Sequence, residues 1–109
     1  MPALTSLHIL FLREHNRIAT ELKTLNPTWN DELLFQQTKR IINAQLQHII
    51  FNEFLPPLLG QEQMELFGLR PLTNGFSNSY RNDFNPSVTN EFAAAAFRMG
   101  HTLVTGVVK

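Results

Sequence analysis

The chain has 109 residues, the length of one modest domain. Nine basic and nine acidic residues cancel, so the chain offers no basic surface for nucleic acid or acidic membranes. It has no cysteine, which excludes disulfides, zinc–thiolate sites and thiol catalysis within this stretch. No apolar run reaches the length of a membrane span, and no signal-peptide pattern opens the sequence.

The first predicted element is a helix from about Leu4 to Leu25. Asn26-Pro27 ends it, because proline cannot continue the helical hydrogen-bond ladder. Apolar residues recur at steps of three and four, which is the period of one helix face. They are Leu4, Leu7, Phe11, Ile18, Leu22 and Leu25.

A second long helix is predicted after Trp29. Asn30 is the expected N-cap, and two acidic residues follow it in the first turn, where they complement the helix dipole. Pro56-Pro57 should close or kink this helix, and a short helical turn should follow over residues 61–67.

Residues 69–87 lack a helical period and are predicted to form a long loop. A last helix is expected from Pro86 or Ser87 to about Thr105, with Asn85 as its N-cap. The sequence therefore predicts an all-α protein of three main helices and a long loop. The two long helices are too apolar around their circumference for so small a bundle, which indicates a piece of a larger helical domain.

Glu14 occupies an apolar stripe position of the first helix, within "REHNR". An unpaired carboxylate would be costly there, so we expect a buried ion pair with Arg17, three residues on, or with a cation outside this chain. The alternative is a general acid whose pKa is raised by burial.

The four histidines divide into two groups. His8 and His15 share a helix face at a spacing of seven, but zinc sites on helices usually use a spacing of four. We therefore expect these two, and His48 of the second helix, to be structural rather than metal ligands.

His101 differs, because Arg98 and Phe97 lie three and four residues before it and Gly100 clears the adjoining position. A planar anionic cofactor with a central metal would suit such a surface, with iron bound to His101 and a carboxylate to Arg98. A packed helical histidine is the competing interpretation.

Four motifs, "REHNR", "LNPTW", "LPPLLG" and "FRMGHTLV", occur in order along the chain. From Leu4 to Val104 the sequence closely resembles the animal haem peroxidase family, which includes myeloperoxidase, peroxidasin and peroxinectin. The stretch "NPSVTNEFAAAAFRMGH" is most similar to invertebrate members.

The resemblance implies that His101 is the proximal ligand of haem iron and that Arg98 lies beside a haem propionate. It places Phe97 and Gly100 in the wall of the proximal pocket, and we carry no role over to Met1. Members of the family use hydrogen peroxide to oxidise a reducing donor, and many act outside the cell. Haem, peroxide and the donor are thus the implied partners, together with the remainder of the peroxidase domain.

The family's distal histidine, distal arginine, haem-linked acidic residue and calcium loop have no counterpart in this sequence. Residues 1–109 are therefore expected to be an interior slice of a single peroxidase domain, with no catalytic residue of their own and no activity in isolation. The resemblance leaves covalent attachment of the b-type haem open. The alternative is a non-catalytic helical packing or binding module derived from the family. A distal histidine and arginine upstream of this stretch would decide for the enzyme.

Overall fold

The computed structural model describes residues 2–104 and Gly106. Those residues form helices, turns and loops without a strand, which confirms the all-α prediction. The chain divides into two compact units, residues 1–73 and residues 74–109, and each is described by itself. Met1 and Thr105, which the sequence interpretation also mentions, lie outside the described residues.

Two long helices, α1 (Pro2–Leu25) and α2 (Asp31–Ile49), form the framework of the first unit. The side chain of Asn30 accepts a hydrogen bond from the Leu33 N–H at 2.9 Å, which confirms the predicted N-cap. The connecting turn is held by Lys23, whose Nζ donates to the carbonyls of Pro27 and Trp29. The two helices consequently fold back on each other as a hairpin.

Among the described residues of α1 and α2, those that are buried form a narrow seam between the two helices. It contains Ile18, Thr38 and Ile42, whereas many large apolar side chains remain exposed. Leu10 and Leu12, for example, are 58% and 61% exposed. This agrees with the prediction that both helices carry more apolar surface than a bundle of this size can cover.

Thr38 is a defect in that seam, because its side chain is fully buried and its Oγ1 has no hydrogen-bond partner. A buried hydroxyl without a partner costs about 1–3 kcal/mol. We expect Thr38→Val, which keeps the branched shape, to raise the free energy of unfolding by about 1 kcal/mol in urea melts followed by circular dichroism.

Thr20→Val is the matched control for this prediction. The Thr20 hydroxyl is exposed and donates to the Asn16 carbonyl at 2.9 Å. Its replacement should change the free energy of unfolding by no more than about 0.5 kcal/mol. A Thr38→Val chain less stable than the wild type would contradict the interpretation.

After α2 the helix widens into a π-helical segment, Ile50–Phe54. Its cause is the proline pair that follows, since neither Pro56 nor Pro57 can donate a backbone N–H to the carbonyl four residues earlier. The N–H of Leu55 instead reaches the carbonyl of Ile50, five residues back. At the prolines the helix therefore does not end. It contains one wider, π-helical turn just before them.

Two short helices complete the first unit, α3 (Leu55–Leu59) and α4 (Gln61–Leu66). Helix α4 confirms the helical turn predicted over residues 61–67. Gly68 adopts a left-handed conformation with φ 61°, so the Leu69 N–H can bond the Met64 carbonyl at 2.8 Å and close α4. Met64 is only 1% exposed and anchors this end of the unit.

The second unit begins with the predicted loop and ends with two short helical elements. These are α5 (Asn90–Ala94) and a 3₁₀ segment (Ala96–Leu103), separated at Ala95. The prediction of one continuous helix from residue 86 or 87 is therefore wrong.

The residues before α5 explain why the predicted helix start was wrong. Asn85 does not cap a helix; its side-chain oxygen accepts hydrogen bonds from the backbone N–H and the hydroxyl of Ser87. This local turn competes with helix formation, as Asn side chains often do. Thr89 is the N-cap instead, with its hydroxyl oxygen accepting from the Phe92 N–H at 3.3 Å.

Candidate functional site

All four residues assigned to a haem pocket by resemblance lie in the 3₁₀ segment of the second unit. At Ala95 the backbone has φ −125° and ψ −68°, outside helical values, and the Arg98 N–H then bonds the Ala95 carbonyl at 2.9 Å. That bond spans three residues, as a 3₁₀ helix requires. The geometry of the candidate site is therefore set by a period of three rather than 3.6.

A period of three changes which side chains share a face. In a 3₁₀ helix residues three apart lie directly above one another. Arg98 and His101 consequently form one row along the segment, and Phe97 and Gly100 form the adjoining row. The expected neighbourhood of Arg98 and His101 is retained, whereas Phe97 lies a third of a turn away from His101, farther than an α-helix would place it.

The row of Arg98 and His101 is open. Both side chains are exposed, and among the described residues neither has a hydrogen bond or ion pair. A Cβ built on Gly100 meets no atom within 4 Å, so the segment has a cleared surface beside the imidazole.

Phe97 leads into an apolar groove of the same unit. Its ring lies 5.8 Å from that of Phe92, centroid to centroid, and Val88 and Ala93 complete the lining. This surface could contact the flat face or edge of an apolar ring system. Within the second unit, the chain thus combines an imidazole, a cation and an aromatic wall.

The other three histidines lie in the first unit. Nδ1 of His8 is 2.8 Å from the Leu4 carbonyl, the ring of His15 lies against Phe35, and His48 bonds the Asn52 side chain. In the described part of the chain, no three His, Asp or Glu side chains are close enough together to hold a metal ion.

Glu14 forms the ion pair predicted with Arg17. The guanidinium donates twice, from Nε to Oε2 at 2.8 Å and from Nη2 to Oε1 at 2.7 Å. A third contact comes from Gln45 of α2, whose amide nitrogen lies 3.4 Å from Oε1. The expected burial is not found, because 28% of the Glu14 side chain remains exposed.

This environment also decides the chemistry of Glu14. The hydrogen bonds from Arg17 lower the pKa of Glu14 from 4.5 to about 2. A general acid near neutral pH needs a raised pKa, so that alternative is wrong. Glu14 instead ties α1 to α2 through Gln45.

The same pKa yields a prediction for pH dependence. A carboxyl whose pKa is lower in the folded state stabilises the fold above its ordinary pKa, and the contribution is lost as the pH falls. Wild-type chain should therefore be more stable than Glu14→Gln near pH 5, and the difference should shrink as the pH falls to about 2. Thermal melts across this range measure it.

Arg17→Met serves as the control, since it removes the cation and should abolish the same part of the pH dependence. A stability difference between wild type and Glu14→Gln that stays constant over this range would show that the ion pair does not stabilise the fold.

The loop of the second unit contains an open cavity that the sequence interpretation did not single out. Its lining consists of Ser79, Tyr80, Arg81, Asn82, Phe84 and Pro86. Arg81 and Asp83 form a twofold hydrogen-bonded ion pair, with distances of 2.7 and 3.2 Å, beside the exposed ring of Tyr80. The sequence signal for this ion pair was the presence of two opposite charges two residues apart. Exposed pairs of this kind add little stability, and the cavity carries no recognisable catalytic set.

Comparison with known proteins places these observations in a family. The family model described as "Animal haem peroxidase" matches residues 1–109. The chain is 52% identical to a chorion peroxidase of Drosophila melanogaster over 104 residues, which is 95% of this chain and 13% of that protein. It is 42% identical to heme peroxidase 2 of Caenorhabditis elegans, with 93% of this chain and 14% of that protein covered. It is 46% identical to the human peroxidasin homolog, covering 93% of this chain and 6% of that protein.

The chain spans about a seventh or less of these relatives' lengths, as the coverages of 13%, 14% and 6% show. The family model nevertheless matches all of residues 1–109. The chain belongs to the animal haem peroxidase family.

Proposed function

We propose that the parent polypeptide is a haem peroxidase, which reduces hydrogen peroxide and oxidises a donor. Within it, this chain would supply His101 as the proximal ligand of the haem iron. The match to the family over the whole chain supports the proposal, as do relatives that are themselves named peroxidases. Because the chain covers 13% of the chorion peroxidase, most groups needed for turnover would lie elsewhere in the parent.

The observation that carries the proposal is the row formed by Arg98 and His101. An imidazole nitrogen is a common haem ligand, and a guanidinium is suited to a carboxylate. Both side chains are unpartnered in the described structure and lie on one side of a segment with open space at Gly100. The donor set therefore fits an iron porphyrin with carboxylate substituents.

Each residue would have a separate task. His101 would bind iron through one ring nitrogen, Arg98 would donate hydrogen bonds to a propionate, and Phe97 would form part of the apolar wall. When bound, haem supplies the redox chemistry of peroxide reduction, and the protein supplies position and electrostatics. Proton transfer to and from peroxide would depend on residues outside this chain, as would any calcium site or covalent haem link.

We further propose that the parent works outside the cell, as the family resemblance implies. In the described part of the chain, none of the helices has the length and hydropathy of a membrane span.

The proposal is tested on the purified parent expressed with haem available. We expect stoichiometric haem, measured by pyridine haemochrome absorbance, and peroxide-dependent oxidation of a phenolic donor. A helical packing module would show neither property. A parent that folds, as judged by circular dichroism, yet retains no haem would refute the peroxidase assignment.

A further inference from the structure

The dipeptide Asn74-Gly75 lies at the start of the second unit, and the proposed haem site does not involve it. The backbone bends at residues 73–75, and both residues of the dipeptide are exposed to solvent. Gly75 has φ 76°, a left-handed conformation that glycine adopts without strain. A Cβ built on Gly75 would meet no atom within 4 Å, so this side of the bend is open.

The backbone N–H of Gly75 is not engaged in the fold. Among the described residues, neither this N–H nor the Asn74 side chain has a hydrogen-bond partner. An asparagine loses its ammonia when the next backbone nitrogen reaches Cγ of its side chain, and a hydrogen bond at that nitrogen hinders the approach. Glycine favours the approach, because it has no side chain beside the nitrogen and its backbone is the least restricted.

We propose that Asn74 is a site of spontaneous deamidation. The Gly75 nitrogen attacks Cγ of Asn74 and gives up its proton to water as the new C–N bond forms. The bond from Cγ to the side-chain nitrogen then breaks, and that nitrogen takes up a proton and leaves as ammonia. Water adds to either carbonyl carbon of the resulting five-membered succinimide and opens it to aspartate or isoaspartate. Water is the only co-reactant, and nothing is oxidised or reduced.

The other nine asparagines are less suited to this reaction, because the residue after each of them carries a side chain. Asn78 and Asn82 also lie in the exposed loop. After Asn78, however, the N–H of Ser79 bonds the Ser77 hydroxyl at 3.3 Å. After Asn82, the backbone of Asp83 hydrogen-bonds its own carboxylate. The remaining seven lie in a helix, cap one or precede a proline, which has no N–H.

Deamidation changes the charge of the chain and, in one product, its backbone. The formal net charge falls by one unit from zero, because a neutral amide becomes a carboxylate. In isoaspartate the main chain runs through Cβ of residue 74 and is one carbon longer where the second unit begins. Since the Asn74 side chain has no hydrogen-bond partner among the described residues, both units should stay folded. The proposal does not depend on haem binding and can fail or succeed independently of the proposed function.

Peptide mass spectrometry of the chain during incubation at mildly alkaline pH tests the proposal, since the attacking nitrogen must lose its proton. Samples digested at time zero and a urea-unfolded sample are measured in parallel, and circular dichroism reports the folded state. We expect Asn74 to react first and at the same rate in folded and unfolded chain. Protection of Asn74 by folding, or earlier reaction at another asparagine, would overturn the proposal. If the isolated chain is unfolded in buffer, the same comparison on the parent decides.

Two serine variants locate the reaction independently of digestion. Incubated wild-type chain should accumulate a more acidic species on ion-exchange chromatography, and Asn74→Ser should lose that species. Asn78→Ser is the matched control, because Asn78 is exposed in the same loop, and it should accumulate the acidic species as fast as wild type. An acidic species that forms at the wild-type rate in Asn74→Ser would contradict the assignment.

Discussion

Supplied with haem and hydrogen peroxide, the isolated 109-residue chain should oxidise a phenolic donor no faster than free haem does. Cleavage of peroxide requires a group that moves a proton between its two oxygens, and such general acid–base catalysis contributes about 10²–10⁴-fold. The family's distal histidine and arginine have no counterpart here. Glu14 does not substitute for them, because its pKa of about 2 leaves it ionised and bound to Arg17.

The measurement compares initial rates of donor oxidation at equal haem concentration for folded chain, urea-unfolded chain and free haem. The parent polypeptide is the positive control. Turnover well above that of free haem, present only when the chain is folded, would show that these residues contain a proton-transfer group that the structure does not reveal.

If His101 binds the haem iron as proposed, replacing it with alanine in the parent should remove the iron–nitrogen bond and lower peroxidase activity more than about 100-fold. That estimate exceeds the 10- to 100-fold cost of losing an outer partner of a metal ligand. Optical and electron paramagnetic resonance spectra of the haem report the ligand directly. A variant that keeps the wild-type histidine-ligated spectrum would show that another residue binds the iron.

Two further variants distinguish loss of the iron ligand from a general loss of structure around the haem. Arg98→Ala should keep the histidine-ligated spectrum and lose haem faster to an apoprotein scavenger, since only a carboxylate contact is removed. His48→Ala should behave as wild type, because His48 is exposed and bonds only to Asn52 among the described side chains. Loss of iron ligation in His48→Ala with His101 intact would reverse the assignment.

The first unit was largely predictable because its signals are local. Asn30 stands directly before two acidic residues and caps α2, while Pro27 prevents continuation of α1. The pair of Glu14 and Arg17 also followed from a spacing of three. Gln45 could not be found this way, since it lies 31 residues from Glu14 and meets it only after the hairpin has closed.

The backbone geometry of the candidate site could not be predicted from the sequence. Four successive alanines favour an α-helix by intrinsic propensity, yet propensity is weak beside tertiary context. Residues three apart are neighbours in α- and 3₁₀-helices alike, so the sequence could relate Arg98 to His101. Phe97 is four residues from His101, so the two side chains are neighbours in an α-helix but not in the 3₁₀ helix that forms here.

The π-helical segment at Ile50–Phe54 also determines how the sequence of this region should be aligned. One additional residue in a helical turn rotates everything beyond it by about 100° relative to an uninterrupted α-helix. The apolar stripe of α2, continued through this segment without the extra residue, would therefore be assigned to the wrong face of α3. A deletion of one residue within the segment should restore the α-helical phase only if both prolines are also replaced.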